Sequence, residues 1–255
     1  MNAPRKRNEE ALRANFFGAA AIGLVELPIT TFERIELPER NLGPGRIENA
    51  VIVDYGVGNL RSVANALGRL GVTAKISTDP AVLRDATALI LPGVGAFGRA
   101  MDNLRAAKLV DVLGEAVLER KRPTLGICLG MQILAESSNE LGLHRGLGWI
   151  PAQVERLGGP TGLPVPHVGW NQVTTQQNSV LFQGIPPAAS FYFDHSFAMR
   201  ACPAAVSSCD YDGAFVAAVE HGNLMAVQFH PEKSQVAGQR LLANFLAFAA
   251  RQNAG

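Results

Sequence analysis

The chain has 255 residues, 47% of them hydrophobic, with 23 Lys and Arg against 22 Asp and Glu for a formal net charge of +1. That length and apolar content suffice for one substantial core, in one domain or a domain with an appendage. With no long basic stripe beyond the N-terminus, the even charge balance does not imply nucleic acid as a partner.

Residues 1–48 differ from the rest. Arg5, Lys6 and Arg7 precede an apolar patch from Phe16 to Val25, the order found in secretory signals. Glu9 and Glu10 interrupt the positive region, no clear small-residue cleavage site follows, and the patch is far short of the ~20 apolar residues that span a bilayer. A poorly ordered or surface-docked extension is therefore expected, not a targeting segment or membrane anchor. Pro38 to Gly45 reads as the linker into a main domain over residues 49–255.

From Ala50 short apolar runs alternate with amphipathic ones, the pattern of a mostly parallel sheet flanked by helices in an α/β fold. Ala50 to Asp54 is a predicted strand, and Asn59 to Leu70 is a predicted helix with Leu60, Val63, Ala64, Leu67 and Leu70 at helical spacing. Thr73 to Ser77 and Ala88 to Leu91 are the next strands, the latter ended by the turn Pro92-Gly93-Val94-Gly95. Phe97 to Arg120 is mostly helical, and Thr124 to Ile127 is the fourth strand. After Trp149 the chain turns β-rich, with strands over Gln153 to Leu157, His167 to Thr174, Ser190 to Met199, Ala205 to Tyr211, Phe215 to Glu220 and Leu224 to Phe229. A helix from Gln235 to Arg251 closes it, burying Val236, Leu241, Leu242, Phe245, Leu246 and Phe248.

The fourth strand delivers Gly126-Ile127-Cys128-Leu129-Gly130-Met131-Gln132. Glycines two residues before and after Cys128 give the spacing of a nucleophile elbow, where a sharp strand-to-helix turn leaves no room for Cβ atoms and projects the central side chain outward. A sulfur at a helix N-terminus is favoured as thiolate, its pKa drawn down from about 8.5. Cys128, Cys202 and Cys209 form no CxxC pair, which argues against a disulfide framework and against a zinc site, and for a cytoplasmic setting. No metal or cofactor is implied.

A thiol nucleophile needs a base. His230 ends an apolar run in Gln228-Phe229-His230-Pro231-Glu232-Lys233-Ser234, and in an extended segment positions two apart share a face. Glu232 can then fix the tautomer of His230, so Cys128, His230 and Glu232 take the nucleophile, base and orienter roles of a triad.

The elbow, the His-Pro-Glu segment and the Pro92-Gly93-Val94-Gly95 turn together resemble the class I, triad-type glutamine amidotransferases over about Ala50 to Arg251. The resemblance implies a flavodoxin-like α/β fold and hydrolysis of glutamine through a cysteine thioester. It implies oxyanion donors at Val94 and Leu129 and glutamine contacts from Gly95, Gln132, Ser196 and Phe197. Asp54-Tyr55-Gly56-Val57-Gly58-Asn59-Leu60-Arg61-Ser62-Val63, His167-Val168-Gly169-Trp170-Asn171 and Phe191-Tyr192-Phe193-Asp194-His195-Ser196-Phe197 narrow it to the glutaminase subunits of imidazole glycerol phosphate synthases. Those pair as heterodimers with a (β/α)8 cyclase subunit that receives the ammonia in histidine biosynthesis. Asn59, Trp170, Asn171, Tyr192 and Lys233 are the implied partner-facing residues, although Asn59 would equally serve as a helix cap and the two aromatics as core. Asp194 departs from the apolar residue expected before His195, and Phe197 replaces a tyrosine. Two alternatives stay open at this point: a paralogue supplying ammonia to another synthetase, and a non-catalytic scaffold with the same fold.

Overall fold

A computed structural model describes residues 47–254; the expectation of an N-terminal extension lies, but for Ile47 and Glu48, outside the described residues. The first half alternates strand and helix: β1 (Ala50–Val53), α1 (Leu60–Arg69), β2 (Lys75–Ser77), α2 (Pro80–Arg84), β3 (Ala88–Gly93), α3 (Phe97–Ala106), α4 (Leu109–Gly114) with a π-helical continuation over Glu115–Glu119, β4 (Thr124–Cys128) and α5 (Leu129–Gln132). The second half is mostly strand: β5 (Ala135–Ser138), β6 (His144–Arg145), β7 (Ile150–Arg156), β8 (His167–Gln172), β9 (Thr174–Thr175), β10 (Ser190–His195), β11 (Phe197–Met199), β12 (Ala205–Asp210), β13 (Ala214–His221) and β14 (Leu224–Val227). A 3-10 turn over Pro231–Lys233 leads into α6 (Gln235–Gln252).

The main sheet runs β2-β1-β3-β4-β14-β13-β12-β9. Its strands β1, β2, β3, β4 and β14 are parallel, and in chain order they stand 2-1-3-4-5, the flavodoxin-like arrangement. Antiparallel β13, β12 and β9 extend the same sheet, so part of the β-rich half completes the core. The rest forms a two-stranded antiparallel sheet of β8 and β10 and a small sheet β11-β7-β5-β6.

Strands β1, β3, β4 and β14 are buried along their whole length, because helices cover both faces. Ile52, Ile90, Leu125 and Ile127 pack towards α1 and α6, where Val63, Leu67, Leu241 and Phe245 meet them. Val51, Val53, Leu89 and Leu91 point the other way, against Phe97, Met101 and Leu104 of α3. Burying each such side chain contributes about 1.5–3 kcal/mol, so this double-sided core fixes the carboxyl ends of the parallel strands.

Several predicted elements are corrected. The stretch from Phe97 to Arg120 is mostly helical as expected, but divided at Lys108, whose φ of 56° is left-handed and separates α3 from α4. Ser190 to Met199 is two strands parted at Ser196. In α6, Val236 is 46% exposed, because helical spacing puts Ala237 and not Val236 on the face of Leu241 and Phe245. The unanticipated α2 has its signal in Asp79-Pro80: the Asp79 carboxylate accepts the Ala81 N–H at 2.8 Å, with Pro80 in the first turn.

Candidate active site

Strand β4 ends on Cys128, whose φ of 54° lies in the left-handed region, a conformation costing a non-glycine residue on the order of 1–3 kcal/mol. The flanking glycines make that turn possible. A Cβ on Gly130 would stand 1.6 Å from the Leu91 carbonyl oxygen, and one on Gly126 would stand 2.9 Å from the Gly130 carbonyl oxygen. The helix behind the sulfur is shorter than expected: α5 has four residues, so little macrodipole accumulates and the first-turn N–H groups, beginning with Leu129, remain as the local donors.

β14 lies parallel beside β4 with Val227 opposite Ile127, so the residues beyond β14 run past the elbow. Gln228 comes first and directs its Nε2 at the Cys128 sulfur, 3.6 Å away. His230 follows on the same side, 3% exposed. Its Nδ1 lies 2.8 Å from a Glu232 carboxylate oxygen, whose side chain is equally buried. The pair meets across the 3-10 turn that begins at Pro231, not along an extended strand. The His230 backbone is tied to β10 through its N–H to the Tyr192 carbonyl at 2.9 Å, and the Ser234 hydroxyl donates to the His230 carbonyl at 2.6 Å. Burial by itself pushes the imidazole down, but hydrogen bonds to the Cys128 sulfur and to Glu232, with the charges of both, outweigh it and raise its pKa to about 10. His230 is thus held as imidazolium at neutral pH.

A cavity of about 380 Å³ opens over Cys128, and the structure brings Val94, Gly95, Leu129, Gln132, Ser196 and Phe197 together around it. Glu140, Pro166, Asp194 and His195 also line it, none of them among the expected site residues. Glu140 arrives from the unanticipated β5–β6 connection and accepts the N–H of Phe97 at 2.7 Å; nothing in its local sequence marks it. Asp194 is exposed on its side-chain face, while its carbonyl oxygen lies 3.9 Å from the Cys128 sulfur. Phe197 contributes its backbone: its carbonyl accepts from Gln132 at 2.7 Å and faces His195 Nδ1 at 2.9 Å. His195 Nδ1 therefore carries the proton, and its Nε2 faces His167 Nδ1 at 3.2 Å. Behind the turn of Val94, the Tyr55 hydroxyl is buried without a partner, and a Cβ on Gly93 would stand 2.5 Å from it.

On the β8–β10 pair, Trp170 is opposite Tyr192 and Val168 is opposite Asp194. Trp170 meets Tyr192 edge to face at 6.0 Å between centroids, and Lys233 Nζ stands 5.2 Å over the Tyr192 ring, so these three implied partner residues share one outward patch. Asn171, one position on, faces the other way, its amide donating to the Asp210 carbonyl at 3.2 Å. Asn59 caps α1, accepting the Ser62 N–H at 3.3 Å. Among the described residues no helix is long and apolar enough to cross a membrane.

Residues 51–248 match the family model described as glutamine amidotransferase class-I. The chain is 48% identical over 198 residues to the imidazole glycerol phosphate synthase subunit HisH of Yersinia pseudotuberculosis, covering 78% of this chain and 98% of that protein. It is 46% identical to the subunit of the same name from Escherichia coli, with the same coverage of both chains. A solved glutamine amidotransferase structure superimposes with a TM-score of 0.62 at 24% identity, covering 78% of this chain and 98% of the other, a likeness of fold.

Proposed function

The chain belongs to the class-I glutamine amidotransferases, within them to the HisH subunits, and from that premise we propose that it hydrolyses glutamine and passes the ammonia to a cyclase subunit in histidine biosynthesis. The observation that carries this reading is the left-handed Cys128 in the lining of the cavity, hydrogen-bonded to a buried His230–Glu232 pair.

The Cys128 thiolate attacks the side-chain carboxamide carbon of glutamine. The oxygen that becomes negative takes hydrogen bonds from the Leu129 N–H and, when the turn presents it, the Val94 N–H. His230 gives its proton to the departing nitrogen, the C–N bond breaks, and ammonia leaves a γ-glutamyl thioester. Neutral His230 then takes a proton from water as the water attacks, and collapse releases glutamate and restores the thiolate–imidazolium pair. Glu232 keeps the imidazole in the productive tautomer throughout. Gly95, Gln132, Ser196 and Phe197 hold the substrate, and Glu140 is the carboxylate suited to its ammonium group.

Ammonium is a poor nucleophile, so a shielded transfer to the cyclase has a chemical reason. The patch of Trp170, Tyr192 and Lys233, on the outer face of the β8–β10 pair whose end lines the cavity, is the proposed docking surface. Three free cysteines fit a cytoplasmic setting.

The test is glutamate production by the full chain with and without the cyclase subunit and its nucleotide ligand. A large gain with the cyclase, lost by on the order of 10³-fold or more in Cys128→Ala, is expected. Undiminished ammonia release from Cys128→Ala would refute the reading.

A further inference from the structure

Within the glutaminase reading, on which this inference rests, we propose that Gln228 is a positioning residue: it locks the Gln132 carboxamide with its carbonyl oxygen as the free end and aims its own N–H at the Cys128 sulfur. Gln228 is fully buried, at 0% exposure, where a carboxamide must find partners or destabilise the fold.

The donor and acceptor ends follow from one fixed point. The Phe197 carbonyl can only accept, so the Gln132 atom 2.7 Å from it is the amide nitrogen. That same nitrogen lies 3.1 Å from Gln228, whose facing atom must be its carbonyl oxygen. The Gln228 nitrogen is thereby turned towards the sulfur, at 3.6 Å.

Two consequences follow. Both amide hydrogens of Gln132 are spent on the protein, so Gln132, which lines the cavity, can offer substrate an acceptor and no donor; it selects for an ammonium or carboxamide N–H and against a carboxylate. The N–H of Gln228 is charge-assisted when the sulfur is anionic and weak when it is a thiol, so it favours the nucleophilic form. The sheet explains the reach: Gln228 follows Val227, which is paired with Ile127, and so arrives beside Cys128.

The experiment uses the full chain with the cyclase subunit and two variants. Gln228→Met keeps the volume but has no N–H for the sulfur and only a weak acceptor for Gln132. KM for glutamine is expected to rise by roughly tenfold, a loss of one to two hydrogen bonds, and the pH profile of Cys128 carboxamidomethylation by iodoacetamide, read peptide by peptide, to move upward. Gln228→Glu still accepts from Gln132, so KM stays within about threefold, while its carboxylate, placed against the sulfur, moves the alkylation profile upward and lowers kcat. His230, Glu232 and Tyr55, the other titratable groups around the sulfur, are unchanged in both, and half-buried Cys202 reports any general opening of the fold.

A KM that moves in the Met variant and not in the Glu variant, with both alkylation profiles displaced, is the expected split. Equal KM changes in both variants, or alkylation profiles that stay in place, would overturn the inference; if the Met variant fails to fold, an unmoved profile or a tenfold KM rise in the Glu variant does so. A wild-type chain that hydrolyses no glutamine with the cyclase overturns the functional reading and this inference with it, whereas an active wild type with indifferent variants overturns this inference only.

Discussion

The segment beyond β14, beside the elbow, and the β8–β10 pair each bury histidine, with opposite results. His230, 3% exposed, is raised to about 10; His195, 6% exposed, is lowered to about 3, and His167 beside it to about 4. Desolvation acts on all three in the same direction, against charge. What differs is the company: a sulfur and a carboxylate face His230, whereas His195 faces a backbone carbonyl, a second imidazole and aromatic rings. The first arrangement holds a proton beside the sulfur, where the proposed chemistry needs one, and the second keeps a neutral wall that orders the Phe197 carbonyl.

Removing the proposed base should have the largest effect. His230→Asn, which leaves the sulfur without an acid or base partner, is expected to cost on the order of 10³–10⁴-fold in kcat with little change in KM, measured as glutamate formed in the presence of the cyclase.

Glu232→Gln weakens the contrast without erasing it. With a neutral partner the His230 pKa falls, so kcat is expected to drop on the order of 10–10²-fold, and the imidazole proton resonances of His230 should titrate at lower pH than in the wild type. Stability carries the same signature. A histidine raised from 6.5 to about 10 contributes stability that is complete below about 6.5 and lost as pH rises towards 10; urea midpoints of Glu232→Gln should therefore show a shallower alkaline decline.

His195 and His167 give the opposite slope. Their pKa values lie below the ordinary 6.5, so the unfolded chain binds more protons than the folded one beneath that pH. Stability should fall as pH drops from 6.5 through 4 towards 3. His167→Phe can keep the stack on Tyr211, which now lies at 3.9 Å between centroids, but strands His195 Nε2. A loss of about 1–3 kcal/mol at pH 7 with a gentler acid decline is expected from chemical denaturation across pH; an unchanged acid slope would count against the neutral pair.

The smallest effect is at Tyr55. Its hydroxyl is buried without a partner, and burial pushes its pKa up, with the nearby Cys128 charge adding to this. Tyr55→Phe should not destabilise and should gain up to about 1 kcal/mol in urea unfolding; a clear loss would mean that the hydroxyl has a partner.

Local chemistry was legible without the fold. The glycines around Cys128 announce a turn that no other residue fits, and the spacing of His230 and Glu232 announces a pair, because both depend on backbone geometry within a few residues. Gln228, two residues before His230, lies on the same side, yet the sequence offers no reason to look for its partner: Cys128 is 100 residues away, and only the β4–β14 ladder makes them neighbours. Glu140 and His195 escaped for the same reason, since they reach the cavity through the small sheet and the β8–β10 register. Sequence alone marked the proposed nucleophile, the proposed base and the strand ends that carry them, since steric limits on the backbone act locally. Which amides aim at the sulfur, which histidine keeps its proton and which residues close the cavity follow from the fold, since hydrogen bonding and desolvation depend on neighbours that only the sheet order brings together.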